Sequence, residues 1–196
     1  MNLALFDFDG TLTTKDSLDE FLKYSVDKKR YLLNMLKFIP HLVLWKLRFI
    51  SNSKAKERLF EIFFKGMDEA LFRAKAKSFS LYKLDSIINE QRMNILKEHQ
   101  QSNTRVVIVS ASMKCWLEPW CRKNDIELLS TELKFEDGKY SGKFLTPNCH
   151  GQEKTNRIKE YLNLDEYETI YAYGDSSGDM QMLAMAHFPT KYSLKI

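Results

Sequence analysis

The chain has 196 residues, 44% of them hydrophobic, enough for one domain with a real core or a core domain carrying a small accessory one. Seven Gly and four Pro exclude collagen-like and low-complexity classes, and thirteen Phe with nine Tyr argue against disorder. The net charge of +4 is too small to imply nucleic acid, and no recognisable module with clustered basic and aromatic residues is present, so no nucleic-acid partner is expected. Three Cys and no basic-then-apolar leader predict reduced thiols in a cytoplasmic protein.

In chain order, Leu3 to Phe8 is a short apolar run ending in acid and then Gly10, as in a buried strand that meets a loop. Helical signals follow: Ser17 with Glu20 spells a capping box, and Asp68 is a candidate N-cap before apolar residues at helical spacing from Leu71 to Leu96. Residues 15–100 hold 18 Lys and Arg against 11 Asp and Glu, and no acid occurs between Asp27 and Glu57. Within that window Tyr31 to Ile50 is strongly apolar, yet Asn34, Lys37, Pro40, His41, Lys46 and Arg48 interrupt it too often for a spanning helix. Two readings stay open for residues 28–56: peripheral contact with an anionic membrane surface, or a buried helix pair with solvated basic residues.

From Arg105 strands alternate with helices. Val106 to Val109 is β-branched, Ser112 is a candidate cap for a helix to about Lys123, and Ile126 to Leu129 is a short strand. Residues Lys134 to Tyr140 form a hairpin turning at Asp137-Gly138. Gln152 to Leu162 reads as a helix, Thr169 to Tyr173 as a strand, Ser177 to Ala186 as a helix, and Thr190 to Leu194 as a last strand. Repeated strand–helix units predict an α/β fold, a doubly wound parallel sheet covered on both faces. Nearly a hundred residues separate the first two strands, so we expect residues 1–14 and 101–196 to form the core and 15–100 an inserted helical cap.

Four clusters follow strand ends. Asp7 and Asp9 share one face of an extended backbone, so one can act as nucleophile and the other as acid and base, and paired carboxylates call for a cation such as Mg²⁺. Ser110-Ala111-Ser112 offers a hydroxyl and helix N-terminal amides to an oxyanion. Lys154, early in its helix, can neutralise a phosphoryl group. Asp175 and Asp179, four apart among small residues, suit a loop that holds hydrated Mg²⁺. Cys149-His150 lacks a second Cys/His pair at zinc spacing and reads as structural.

In this order the clusters resemble the four motifs of the haloacid dehalogenase superfamily: Asp7-x-Asp9-Gly10-Thr11, Ser110, Lys154, and Asp175 with Asp179. The resemblance covers the whole chain and implies a Rossmann-like core with a helical cap. It also implies that Asp7 attacks a phosphomonoester, that Asp9 protonates the leaving oxygen and later activates water, and that Ser110, Ala111, Thr11 and Lys154 surround the phosphoryl group. Mg²⁺ would bind Asp7, the backbone carbonyl of Asp9, Asp175 and Asp179. The acid at position 9 favours a phosphatase over a dehalogenase. The insertion after the first motif resembles the phosphoserine phosphatase-like subclass, with Asp16 where phosphoserine phosphatases carry a substrate-facing Glu; Asp16 reads equally well as an N-terminal helix residue. The Pro40 stretch and the Cys149 to Lys154 run also resemble bacterial phosphatidylglycerophosphate phosphatases, which implies a lipid-phosphate alternative. A phosphomutase and a non-catalytic binding module are further alternatives. Arg48, Arg58, Arg73 and Arg92 are candidate anion contacts on the insertion, beside an expected small phosphorylated substrate.

Overall fold

The computed structural model describes residues 1–192. A five-stranded sheet has the order β3-β2-β1-β6-β7, built from β1 (Asn2–Phe6), β2 (Arg105–Met113), β3 (Glu127–Thr131), β6 (Thr169–Gly174) and β7 (Phe188–Lys191). All its pairings are parallel. The pleat sends Leu3 and Leu5 to one face and Ala4 and Phe6 to the other. Each pair enters a different apolar cluster, so the sheet is covered on both sides. Strand order reverses at β1, with β2 on one side and β6 on the other. The crevice beyond the C-terminal ends of β1 and β6 is where such sheets bind ligands.

Between β1 and β2 lie α1 (Ser17–Ser25), α2 (Lys28–Lys46), α3 (Asn52–Phe64), α4 (Glu69–Tyr82) and α5 (Glu90–Gln101). The chain leaves the core at Thr13 and returns at Ile88, where the two form a bridge. Helix α5, which the sequence reading placed in the cap, packs on the sheet: the His99 ring meets Phe6 edge-on at 6.0 Å and its Nε2 lies 2.8 Å from the Tyr173 hydroxyl.

The cap does not stand apart from the core. A two-stranded hairpin, β4 (Leu133–Glu136) with β5 (Lys139–Phe144), turns at Asp137-Gly138 as expected and lies against the cap. The Gly66 N–H donates to the Tyr140 carbonyl and the Tyr140 N–H to that of Met67. Aromatic rings complete the joint. Phe21 of α1 stacks on Trp116 of α6 (Lys114–Lys123) at 4.6 Å, and Phe72 of α4 meets Phe135 of β4 edge-on at 5.7 Å. Such pairs add about 0.5–1.5 kcal/mol each beyond area burial. One apolar cluster therefore runs from the sheet face into the cap.

Several local expectations shift. The cap residue of α1 is Asp16, whose side chain accepts from the Asp19 N–H, rather than Ser17. Ser112 caps no helix: β2 runs on to Met113 through a register irregularity after Ser110, and α6 begins without a side-chain cap. The expected helix at 177–186 is a 3₁₀ turn, Ser177–Asp179, followed by the short α8 (Met180–Leu183). α7 (Gln152–Tyr161) and β6 fall where expected. β7 begins two residues early, and the rest of the expected last strand, residues 193–194, lies outside the described residues.

Candidate active site

The loop after β1 carries Asp7 and Asp9, and the loop after β6 carries Asp175 and Asp179, so the carboxylates meet across the crevice where the strand order reverses. The turn between Asp9 and Thr11 needs Gly10: its φ is +76°, and a Cβ there would lie 2.4 Å from Asp175 Oδ2. Gly174 is equally constrained, since a Cβ would lie 2.5 Å from that of Asp179. Carboxylate oxygens of Asp7, Asp175 and Asp179 all lie within 4.8 Å of one another. This all-oxygen set fits a hard divalent cation such as Mg²⁺. The Asp9 carboxylate is not part of it.

Lys154, 1% exposed on the first turn of α7, holds the acidic cluster together. Its Nζ donates to Asp7 at 2.5 Å and to Asp179 at 2.7 Å. Burial pushes the Asp7 carboxyl up to about 7, against the pull of the Lys154 ammonium. Burial also acts on Asp179, but Lys154 and the Ser176 N–H and hydroxyl outweigh it and keep that carboxyl low.

Asp9 faces another way. Its carboxylate accepts from the Ser17 N–H at 2.6 Å and from the Ser112 hydroxyl, and the two Ser hydroxyls lie 3.1 Å apart. Burial, with the Asp16 charge adding to it, raises Asp9 to about 6 against these hydrogen bonds. A carboxyl held in that range can give and take a proton near neutrality.

Ser110 is fully buried, and its Oγ accepts from the Ser112 N–H. Asp7, Asp9, Gly10, Asp16, Ser110, Ala111, Lys154, Asp175 and Asp179 all line one cavity of about 500 Å³. Thr11 does not; it is fully buried, with its hydroxyl 3.4 Å from Asp175 Oδ1. Asp16 reaches the cavity rim while its Oδ1 caps α1.

None of the four arginines proposed as anion contacts lines this cavity. Arg58 pairs with Glu61 and Arg73 with Glu69 on their own helices. Arg92 braces the catalytic loop by donating to the carbonyls of Gly10 and Thr11, the latter at 2.7 Å, and lies over the Tyr192 ring. The cations the 15–100 segment does bring to the cavity are Lys15 and, from α3, Lys56, whose Nζ donates to the Ala111 carbonyl at 2.8 Å. Ser17, Ser112 and Lys56 were not legible as site residues, because their roles depend on where the cap lands on the core. Cys149 is fully buried with a free thiol, pushed up to about 11 by burial, whereas its neighbour His150, read with it as structural, lines the cavity.

A haloacid dehalogenase-like hydrolase family model matches residues 4–184. Protein CicA of Caulobacter vibrioides (strain NA1000 / CB15N) is 33% identical over 186 residues, 94% of this chain and 82% of CicA. A crystal structure of a Bordetella pertussis Tohama I protein of unknown function superposes with a TM-score of 0.79 at 19% identity, over 98% of this chain and 89% of that one. A phospho-aspartyl intermediate analogue of phosphoserine phosphatase does so with a TM-score of 0.63 at 19% identity, over 98% and 85%. A family match over nearly the whole chain agrees with the fold and with the site geometry: the chain belongs to the haloacid dehalogenase-like hydrolases.

Proposed function

We propose that the protein is a Mg²⁺-dependent phosphomonoester hydrolase that works through an aspartyl-phosphate on Asp7. The observation that carries this reading is the division of labour between two neighbouring acids. Asp7 faces the cluster with Asp175, Asp179 and Lys154, whereas Asp9 is turned onto the hydroxyl and amide donors of Ser112 and Ser17.

In the first step a carboxylate oxygen of Asp7 attacks phosphorus, the bond to the leaving oxygen breaks, and protonated Asp9 gives that oxygen its proton. In the second step Asp9, now a carboxylate, takes a proton from water as the water oxygen attacks phosphorus, which frees phosphate and restores Asp7. Ser110 and Lys154 contact the phosphoryl oxygens. Asp7, Asp175 and Asp179, with the Asp9 backbone carbonyl, would hold the metal, which would neutralise charge on the phosphoryl group.

Besides the acids, the cavity is lined by Leu18, Phe38, Leu42 and Leu59 and by Lys15, Lys56 and Asn52. This favours a small phosphorylated substrate with an apolar portion, in an enzyme of phosphoserine phosphatase-like design. Phosphate release from a panel of phosphomonoesters, with and without Mg²⁺, tests the reading. We expect metal-dependent release that Asp7→Asn abolishes and that Asp9→Asn lowers by about 100- to 10,000-fold. Release that persists in Asp7→Asn would overturn it.

A further inference from the structure

α2 carries apolar residues on two sides, separated by a polar stripe of Arg30, Asn34, Lys37 and His41, yet among its described residues only Asn34 and Phe38 are buried. One side lines the catalytic cavity through Phe38, Leu42 and Trp45. The other side is uncovered: Leu32 is 51% exposed and Leu36 62%, and past the helix end Leu47 is 61% and Phe49 75% exposed. A buried helix pair, one of the two readings of residues 28–56, does not describe this element. A contiguous exposed apolar face of this kind calls for an occupant.

At about 100° per residue, Leu32, Leu33, Leu36, Ile39, Val43 and Leu44 fall within one arc of roughly 140°. Arg30 and Lys37 border one edge of the arc, Lys28 and Lys46 border the other, and Lys29 falls within it at the helix start. None of these cations, nor Arg48, is in an ion pair among the described residues. The segment from 28 to 56 contains no acid. No described helix is long and apolar enough to cross a membrane.

We propose that the outer face of α2 docks on an anionic lipid bilayer, with its leucines entering the acyl boundary and its flanking cations meeting lipid headgroups. Charge complementarity decides the occupant. Two copies pairing through this face would bring the same cations together, whereas an anionic bilayer neutralises both edges at once. Because the opposite side of α2 lines the cavity, docking holds the cavity beside the membrane surface.

Co-sedimentation with vesicles tests this without reference to catalysis. The protein should pellet with vesicles of phosphatidylcholine containing phosphatidylglycerol and stay in solution with phosphatidylcholine alone, and added salt should release it. Lys37→Ala and Lys46→Ala should each weaken binding about five-fold. Leu36→Glu combined with Val43→Glu should abolish it; both positions are on the surface, and the far-UV circular dichroism spectrum and melting temperature check that the variant is folded. Absence of pelleting with the anionic vesicles, equal pelleting with both compositions, or pelleting that survives the double variant would overturn the proposal. So would a dimer in sedimentation velocity that the double variant dissociates.

Discussion

Asp9 shows how much of the chemistry depends on single hydrogen bonds. Its carboxylate is oriented by Ser112 from the core and by Ser17 from the first turn of the cap, so one acid senses both parts of the chain. Ser112→Ala removes one of these bonds without touching the cavity wall. We expect kcat to fall about ten-fold, the equivalent of one hydrogen bond to a charged group, with KM changed little. Steady-state kinetics of the variant check this; a change confined to KM would contradict the positioning role. Gly10→Ala forces a side chain into left-handed backbone and against Asp175, and should cost about 1–3 kcal/mol of stability along with activity. Denaturant unfolding reads the cost. At this scale the convergence of Asp7, Asp9, Lys154, Asp175 and Asp179 on one cavity was legible, because each sits at a fixed offset from an apolar strand or at a helix start. Lys56 and Ser17 were not, since local pattern does not say where a helix of the insertion meets a loop fifty to a hundred residues away.

Elements were read well where one periodicity dominates and poorly where function bends the backbone. β1, β6 and α7 have clean apolar patterns and fall where expected. At Ser110–Met113 the strand pairing slips, Ser112 turns toward Asp9, and a residue that looks like a helix cap becomes part of the site. The expected helix at 177–186 is shortened because Ser176 and Asp179 form a reciprocal cap around Gly178, which orients the Asp179 carboxylate. α5 carries a pH-dependent contact. Burial keeps the His99 imidazole below its ordinary value of 6.5, beside the Tyr173 hydroxyl. The unfolded chain therefore takes the proton first as pH falls, and stability drops as pH is lowered through 6.5. His99→Gln should flatten that part of the stability-versus-pH curve, measured by urea unfolding between pH 5 and 8. An unchanged slope would remove His99 as its source.

Across the whole molecule, the insertion behaves as part of the core. Sheet face, α6, the hairpin and the cap share one apolar cluster, with Trp116 fully buried at its centre between Phe21 and Phe60. Core and cap should therefore unfold together, so tryptophan fluorescence and far-UV circular dichroism should give coincident transitions. Trp116→Ala should lower stability by about 3–5 kcal/mol. Two separated transitions would show that the cap folds independently. Sequence pattern identified the helical insertion from the gap between the first two strands, but the packing of hairpin on cap escaped it, because aromatic residues far apart in the chain carry no mark of their partners.

The central claim is that Asp7 becomes covalently phosphorylated. Quenching a turnover reaction with borohydride reduces an aspartyl-phosphate to homoserine, which peptide mass spectrometry locates. We expect homoserine at position 7, dependent on substrate and Mg²⁺ and absent when the quench contains no borohydride. Phosphate release with Asp7 unmodified, or homoserine at position 9 instead, would contradict it.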